Sequence, residues 1–274
     1  MNTHTTADTT TEAPVLVSTD DGIAEVTLNR PASLNALSEE MLAALQTVWD
    51  DLAETRDVHA VILRGAGKNF CAGHNLKEMT ARRDDADGGK AYFVELFATC
   101  SNMMTSILRL PKPVIAEVHG IATAAGCQLV ATCDLAVAAQ SARFATSGVN
   151  IGLFCSTPMV ALSRNVARKH AMEMLLLGEF LPASRAAEIG IINEVAPDDG
   201  LRSRARAMAE KIAAKSPSAV RIGKEAFYAQ GEMDVDAAYA YAGAVMAENM
   251  MAQDAKGGIG AFINKKDMPD WTGK

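Results

Sequence analysis

The first apolar stretches of the chain are short and rich in β-forming residues, which predicts strands. Residues 15–18 and 23–29 are two such runs, separated by Thr19-Asp20-Asp21-Gly22, and the Asp-Gly step is a hairpin signal. After Arg30-Pro31 the pattern changes to that of a helix. Ser38 is a suitable N-cap, Glu39 and Glu40 put negative charge in the first turn, and Met41, Leu45, Val48 and Leu52 recur on one face. A short strand is predicted at 59–63, a glycine-containing loop at 65–73, a helix at 92–110 ended by Pro111 and Pro113, and a strand at 114–118. Helix at 126–132 and strands at 135–139 and 143–146 follow. Beyond Thr157 the pattern is mostly helical, with helices predicted at 172–177, 183–189, 201–214, 219–230, 235–251 and 255–264. This order suggests a flexible tail at 1–13, an α/β core at 14–200 and a helical C-terminal subdomain at 201–274.

Composition narrows the classes. With 274 residues, 49% of them hydrophobic, the chain can bury a substantial core, which excludes a disordered or fibrous protein. The 33 acidic and 26 basic residues leave a formal charge of −7. Bulk binding to nucleic acid or to an anionic membrane is not expected, so an anionic ligand must be held by local lysines or backbone donors. Cys71, Cys100, Cys127, Cys133 and Cys155 form no C-x-x-C pair and no zinc-spaced cluster with histidine. They read as reduced thiols of a cytoplasmic protein without a metal. Residues 1–13 are rich in threonine and lack lysine and arginine, unlike a secretory or transit leader. No apolar run approaches the roughly 20 residues needed to span a bilayer.

Several nucleotide and hydrolase motifs fail. Gly65-Ala66-Gly67-Lys68-Asn69 has the wrong glycine-to-lysine spacing for a phosphate loop, and no Ser or Thr follows the lysine. There is no G-x-G-x-x-G after a strand, no G-x-S-x-G and no H-E-x-x-H. Two small-residue turns carry more information: 70–78, beginning Phe70-Cys71-Ala72-Gly73-His74, and 120–129, which includes Ala124-Ala125-Gly126-Cys127-Gln128. Small side chains let a ligand approach the backbone, and the second turn runs into a helix whose first amides are free donors. Such turns suit an oxyanion hole, and equally suit close packing of helix on strand.

Residues from about 15 to 262 resemble the crotonase, or enoyl-CoA hydratase/isomerase, superfamily. The matching runs are Leu28-Asn29-Arg30-Pro31, Leu34-Asn35-Ala36-Leu37, Phe70-Cys71-Ala72-Gly73, Pro111-Lys112-Pro113-Val114-Ile115-Ala116, Cys133-Asp134-Leu135 and Gly260-Ala261-Phe262. Residues 124–156 are further similar to vertebrate enoyl-CoA hydratase domain-containing proteins. The resemblance implies a ββα spiral core with a helical C-terminal trimerisation subdomain. It also implies an acyl-CoA thioester whose oxygen is held, as an enolate forms, by the amides of His74 and Ala125. No resident cofactor is implied, because the substrate carries the CoA.

Measured against the hydratases of that family, two positions depart. Their paired glutamates, which hold and deprotonate the added water, correspond to Gln128 and Gly148. Glutamine orients water but does not exchange a proton near neutral pH, and glycine has no side chain. This opens enolate chemistry without a glutamate pair, such as decarboxylation, and a non-catalytic acyl-CoA-binding protein as alternatives. Cys155 and Ser156 are the remaining candidates for a proton donor or nucleophile, the alternatives being a buried thiol and an N-cap before the helix at Pro158. The His74 ring is expected to face outward or to the pocket rim. For the CoA itself, the resemblance implies Ala72 and Phe262 near the adenine and Lys77 and Lys265 near the phosphates. It also implies a homotrimer or dimer of trimers, to which Ala237, Tyr241, Val245 and Met246 would contribute if they are not internal core.

Overall fold

A computed structural model describes residues 13–274. The tail at 1–13 was an expectation about residues that, apart from Ala13, lie outside this range. Strands β1 (Val15–Asp20) and β2 (Ile23–Leu28) form the antiparallel hairpin, with Val15 opposite Leu28. Asp21 and Gly22 turn it with φ of 48° and 73°. Positive φ at both central residues is what lets a two-residue turn match the strand twist. Helix α1 (Glu39–Glu54) starts at Ser38, whose hydroxyl accepts from the Met41 amide at 3.1 Å, and it buries Met41, Leu42, Leu45, Trp49 and Leu52.

From β2 the chain winds through parallel neighbours: β3 (Ala60–Gly65), β4 (Val114–Val118), β6 (Leu135–Ala139) and β9 (Glu194–Ala196), in sheet order β1-β2-β3-β4-β6-β9. Central strands of such a sheet are covered on both faces, which is why 60–63 and 114–118 are continuous buried runs rather than alternating ones. A second sheet joins β5 (Ile121–Thr123), β7 (Arg143–Ala145) and β8 (Leu181–Pro182). Between β3 and β4 lie α2 (Leu76–Ala81) and α3 (Lys90–Arg109), and α4 (Ala125–Thr132) links the sheets. After β7 come α5 (Pro158–Asn165), α6 (Arg168–Leu177) and α7 (Ala183–Glu188).

Three short strands and one short helix escaped the pattern analysis. β5, β8 and β9 span three residues or fewer and α2 only six, too few for a period to emerge. The segment beyond Thr157 therefore contributes an edge strand to the main sheet, through Ala138 opposite Val195. Helix α8 (Leu201–Ala213), grouped by sequence with the C-terminal helices, packs on β2, β3, β4 and β6. The helices that leave the sheet are α9 (Pro217–Gln230), α10 (Val235–Met251) and α11 (Gln253–Ile263).

A buried polar anchor joins α9 to the core. Lys224 Nζ donates to the carbonyls of Ile107 and Lys112, both at 2.9 Å, and to Asp134 Oδ2 at 2.7 Å. The Tyr228 hydroxyl donates to Asp134 Oδ1 at 2.9 Å, and the Val114 amide to Asp134 Oδ2 at 2.7 Å. Burial pulls the Lys224 pKa below its ordinary value, and the Asp134 carboxylate opposes that pull. Helix α10 has no buried residue, so Ala237, Tyr241, Val245 and Met246 do not form an internal core.

Candidate active site

The two turns singled out by sequence meet. The Phe70 amide donates to the His119 carbonyl at 3.0 Å and the Cys71 amide to Ile121 at 3.1 Å, while the Thr123 amide donates back to Cys71 at 3.0 Å. Residues 70–71 therefore run beside β5. Glycine is required at both ends of this contact. A Cβ placed on Gly126 would stand 2.1 Å from the Cys71 carbonyl oxygen. Gly73 has φ of +88°, and a Cβ there would lie 3.1 Å from the Ala125 nitrogen.

Ala124, the residue before α4, has φ of 51° and ψ of −120°. A side-chain-bearing residue in that region carries strain on the order of 1–3 kcal/mol, so the surroundings must hold it. They do so through its own amide, which donates to the Ala145 carbonyl at 2.9 Å. The turn sets the direction of the next peptide, which carries the Ala125 amide. Neither that amide nor the His74 amide has an acceptor among the described residues. Two free main-chain donors thus stand on apposed bends, one of them at the positive end of a helix.

The side chains around them depart from expectation in places. The His74 ring does not face outward: both ring nitrogens are buried without a hydrogen-bond partner, and the ring meets Phe97 edge-on at 5.5 Å. Burial lowers its pKa from the ordinary 6.5; the Leu37 carbonyl opposes this from nearby without closing a hydrogen bond. Gln128 follows one turn into α4, its amide donating to Ala124 at 3.0 Å, and is 5% exposed. Its Oε1 is buried with no partner, so it is no helix-surface residue.

Gly148 lies in a 3₁₀ turn, Ser147–Ile151, against the loop that follows. A Cβ there would fall 2.3 Å from the Leu153 carbonyl oxygen and 2.9 Å from Cys155 Sγ. Cys155 is buried, and burial raises its thiol pKa while the Gly148 backbone opposes the rise. Ser156 is exposed and its hydroxyl reaches only the Phe154 carbonyl, at 3.5 Å. It does not cap α5, whose N-cap position is Thr157. Thr146 escaped the sequence analysis: it is fully buried and its Oγ1 has no partner. A lone threonine outside any motif gives no signal of this kind.

Ala72 is half-buried, and its amide is used by the Leu34 carbonyl at 3.0 Å. Lys77 is exposed in the first turn of α2. Phe262 and Lys265 belong to a different element: Phe262 is 75% exposed on α11, which packs on α9 and α10, and Lys265 follows its end with φ of 52°. A groove of about 510 Å³ lies elsewhere, between β9 and α8, where an Arg204–Glu194 ion pair already neutralises its charges. Among the described residues no three His, Cys, Asp or Glu side chains group to hold a metal ion. Nor is any helix among the described residues long and apolar enough to cross a membrane.

Taken with this spiral of parallel strands, the apposed bends define a crotonase fold, and comparison with known proteins agrees. The enoyl-CoA hydratase/isomerase family model matches residues 18–274, and the chain belongs to that family. It is 46% identical over 253 residues to the mitochondrial enoyl-CoA hydratase domain-containing protein 3 of Xenopus laevis, covering 92% of this chain and 84% of the relative. The crystal structure of an enoyl-CoA hydratase from Mycobacterium smegmatis superposes with a TM-score of 0.90 at 54% identity, covering 95% of this chain and 99% of that one. Human enoyl-CoA hydratase domain-containing protein 3 gives 0.86 at 42% identity, covering 93% and 99%.

Proposed function

We propose that this member of the family processes an acyl-CoA thioester by stabilising its enolate with the amides of His74 and Ala125. The observation that carries the reading is the pair of acceptor-free amides on bends apposed through Gly73 and Gly126. Developing charge on the thioester oxygen would meet donors already in place, and one lost donor in comparable chemistry costs about 10²- to 10³-fold in rate. Because both donors are main-chain groups, they are removed only by changing the bends.

Gln128 and Gly148, in the places of the hydratase glutamates, weaken standard water addition. Gln128 can orient a water or a substrate group. The buried, protonated Cys155 thiol, whose sulfur would lie 2.9 Å from a Cβ at position 148, is a better candidate for a proton donor than exposed Ser156. The crowding of Gly148 favours a second reading, enolate chemistry such as decarboxylation that needs no second carboxylate. A third reading is binding of acyl-CoA without turnover.

The CoA moiety would lie along Ala72 and Lys77. Phe262 and Lys265 would be supplied by a neighbouring subunit of a homotrimer or dimer of trimers, consistent with their exposure and with the unburied α10. The five free thiols suit any reducing compartment, so the cytoplasm is one choice among several. The mitochondrial names of the vertebrate relatives count against preferring it. Incubation with crotonyl-, malonyl- and methylmalonyl-CoA, read by mass spectrometry, tests the proposal. Turnover of crotonyl-CoA supports hydration, preference for the malonyl thioesters supports decarboxylation, and neither binding nor turnover removes the reading.

A further inference from the structure

Helix α11 is weak by sequence and held from outside. Its 11 residues include Gly257, Gly258 and Gly260, only Asp254 and Ala261 are buried, and its N-cap, Ala252, offers no side-chain acceptor. Glycine is a poor helix former, and a helix shorter than about 12 residues is marginal on its own. Support comes from the segment that follows. Lys265, with φ of 52°, turns the chain back; its amide donates to the Phe262 carbonyl at 3.2 Å and the Lys266 amide to Ala261 at 2.9 Å. Residues 269–274 then run along α11 in the opposite direction. A Cβ on Gly257 would stand 3.4 Å from Pro269 Cγ, and one on Gly258 3.1 Å from the Trp271 ring. Trp271 Nε1 donates to the carbonyl of Ala214, which ends α8, at 3.0 Å. At the start of α11, Asp254 accepts from the Thr272 amide and hydroxyl, both at 2.8 Å, from the Gly273 amide at 3.0 Å and from the Ser216 hydroxyl at 2.6 Å. Its own amide donates to the Lys274 carbonyl at 3.0 Å.

We infer that residues 269–274 are a strap that keeps α11 helical and so positions Phe262 and Lys265 for the nucleotide end of CoA, with Trp271 and Asp254 as positioning residues. The inference rests on the reading above that a neighbouring subunit supplies Phe262 and Lys265 to that end. Both lie where the strap acts, Phe262 in the last turn of α11 and Lys265 at the reversal itself. The strap brings no group of its own to the ligand: the indole lies against Gly258, and its nitrogen is engaged by Ala214. A ring that must meet a base and a cation that must meet a phosphate bind best on backbone already in place. If that backbone frays, binding has to order it first, and affinity falls. The glycines that weaken the helix also make room for the strap, because a side chain at 258 would push the indole away.

The test combines hydrogen exchange read by mass spectrometry with calorimetric affinity of the full chain for butyryl-CoA and for butyryl-pantetheine, which lacks the nucleotide end. Trp271→Ala speeds exchange of the amides at 257–263 by about tenfold or more and leaves those of β4 unchanged. Its affinity for butyryl-CoA falls about threefold to tenfold, while that for butyryl-pantetheine stays the same. Trp271→Phe, which keeps a ring over Gly258, loses less on both readouts. The drop disappears in a chain already carrying Phe262→Ala and Lys265→Met, where the strap has nothing left to position. Unchanged exchange at 257–263, an unchanged affinity for butyryl-CoA, an equal loss for both thioesters, or a drop that persists without Phe262 and Lys265 overturns the positioning strap alone. A wild-type chain that binds butyryl-CoA no tighter than butyryl-pantetheine overturns the assignment of Phe262 and Lys265 to the nucleotide end, and the inference with it. Binding of neither thioester overturns the acyl-CoA reading as well.

Discussion

The bends around β5 and the helices α9 to α11 solve opposite problems. The bends are interior, with Gly126 pressed on Cys71 and Ala124 held in a strained conformation, so they hold donors still. The C-terminal helices leave Tyr239, Met246, Met251 and Phe262 more than half exposed, and they are tied down by a few polar anchors. Precision at the bends comes from lack of space, whereas attachment of the helices comes from hydrogen bonds. Substitutions should therefore act through crowding in one region and through unpaired charge in the other.

Gly126→Ala is expected to have the largest effect. Its Cβ would overlap a carbonyl oxygen at 2.1 Å, so the bends must separate. A loss of roughly 4 kcal/mol or more in urea denaturation is expected, together with loss of thioester binding. A stable, active variant would show that the bends are not locked together. Next comes Lys224→Met, which leaves the partly buried Asp134 without its cation. Removing one partner of a buried pair costs about 3–5 kcal/mol, and the transition should broaden as α9 loosens first. An unchanged melting curve would mean that the anchor is dispensable.

Gly148→Glu should not create a hydratase. Its first carbon would meet the Leu153 carbonyl and the Cys155 sulfur, costing about 1–3 kcal/mol. Crotonyl-CoA hydration should stay at the starting level, while Cys155→Gly in the same chain recovers part of the stability. A hydration rate raised by Gly148→Glu alone would show that the loop yields. The smallest effect concerns Asp254 at the start of α11. Burial raises its pKa, but hydrogen bonds from Ser216, Thr272 and Gly273 win and bring it to about 2. A carboxyl depressed below its ordinary 3.8 favours the folded state above that pH, and the contribution is lost as pH falls through about 2. Urea titrations between pH 5 and 2 should show this slope in the wild type and a shallower one in Asp254→Asn.

Much of the fold was legible because long elements repeat their pattern. The hairpin, α1, α3 and the buried runs of β4 and β6 each follow from periodicity and caps. Strands β5, β8 and β9 were not legible, since two or three residues carry no period and pair only because distant segments reach them. At the site, Gly73, Ala124 and Gly126 announced a close approach, whereas the buried His74 ring and Thr146 did not. Burial of a polar side chain depends on which helices cover it, and no local pattern encodes that.

By itself the sequence determined the small residues at two bends, the neutral glutamine at position 128 and the missing side chain at 148, because these are covalent facts. Tertiary structure alone decided that Leu153 and Cys155 fill the space beside Gly148, that His74 turns inward against Phe97, and that α8 belongs to the sheet. The reason is physical. Side-chain identity fixes which hydrogen bonds and volumes are possible, but only packing against elements far along the chain decides which of them are realised.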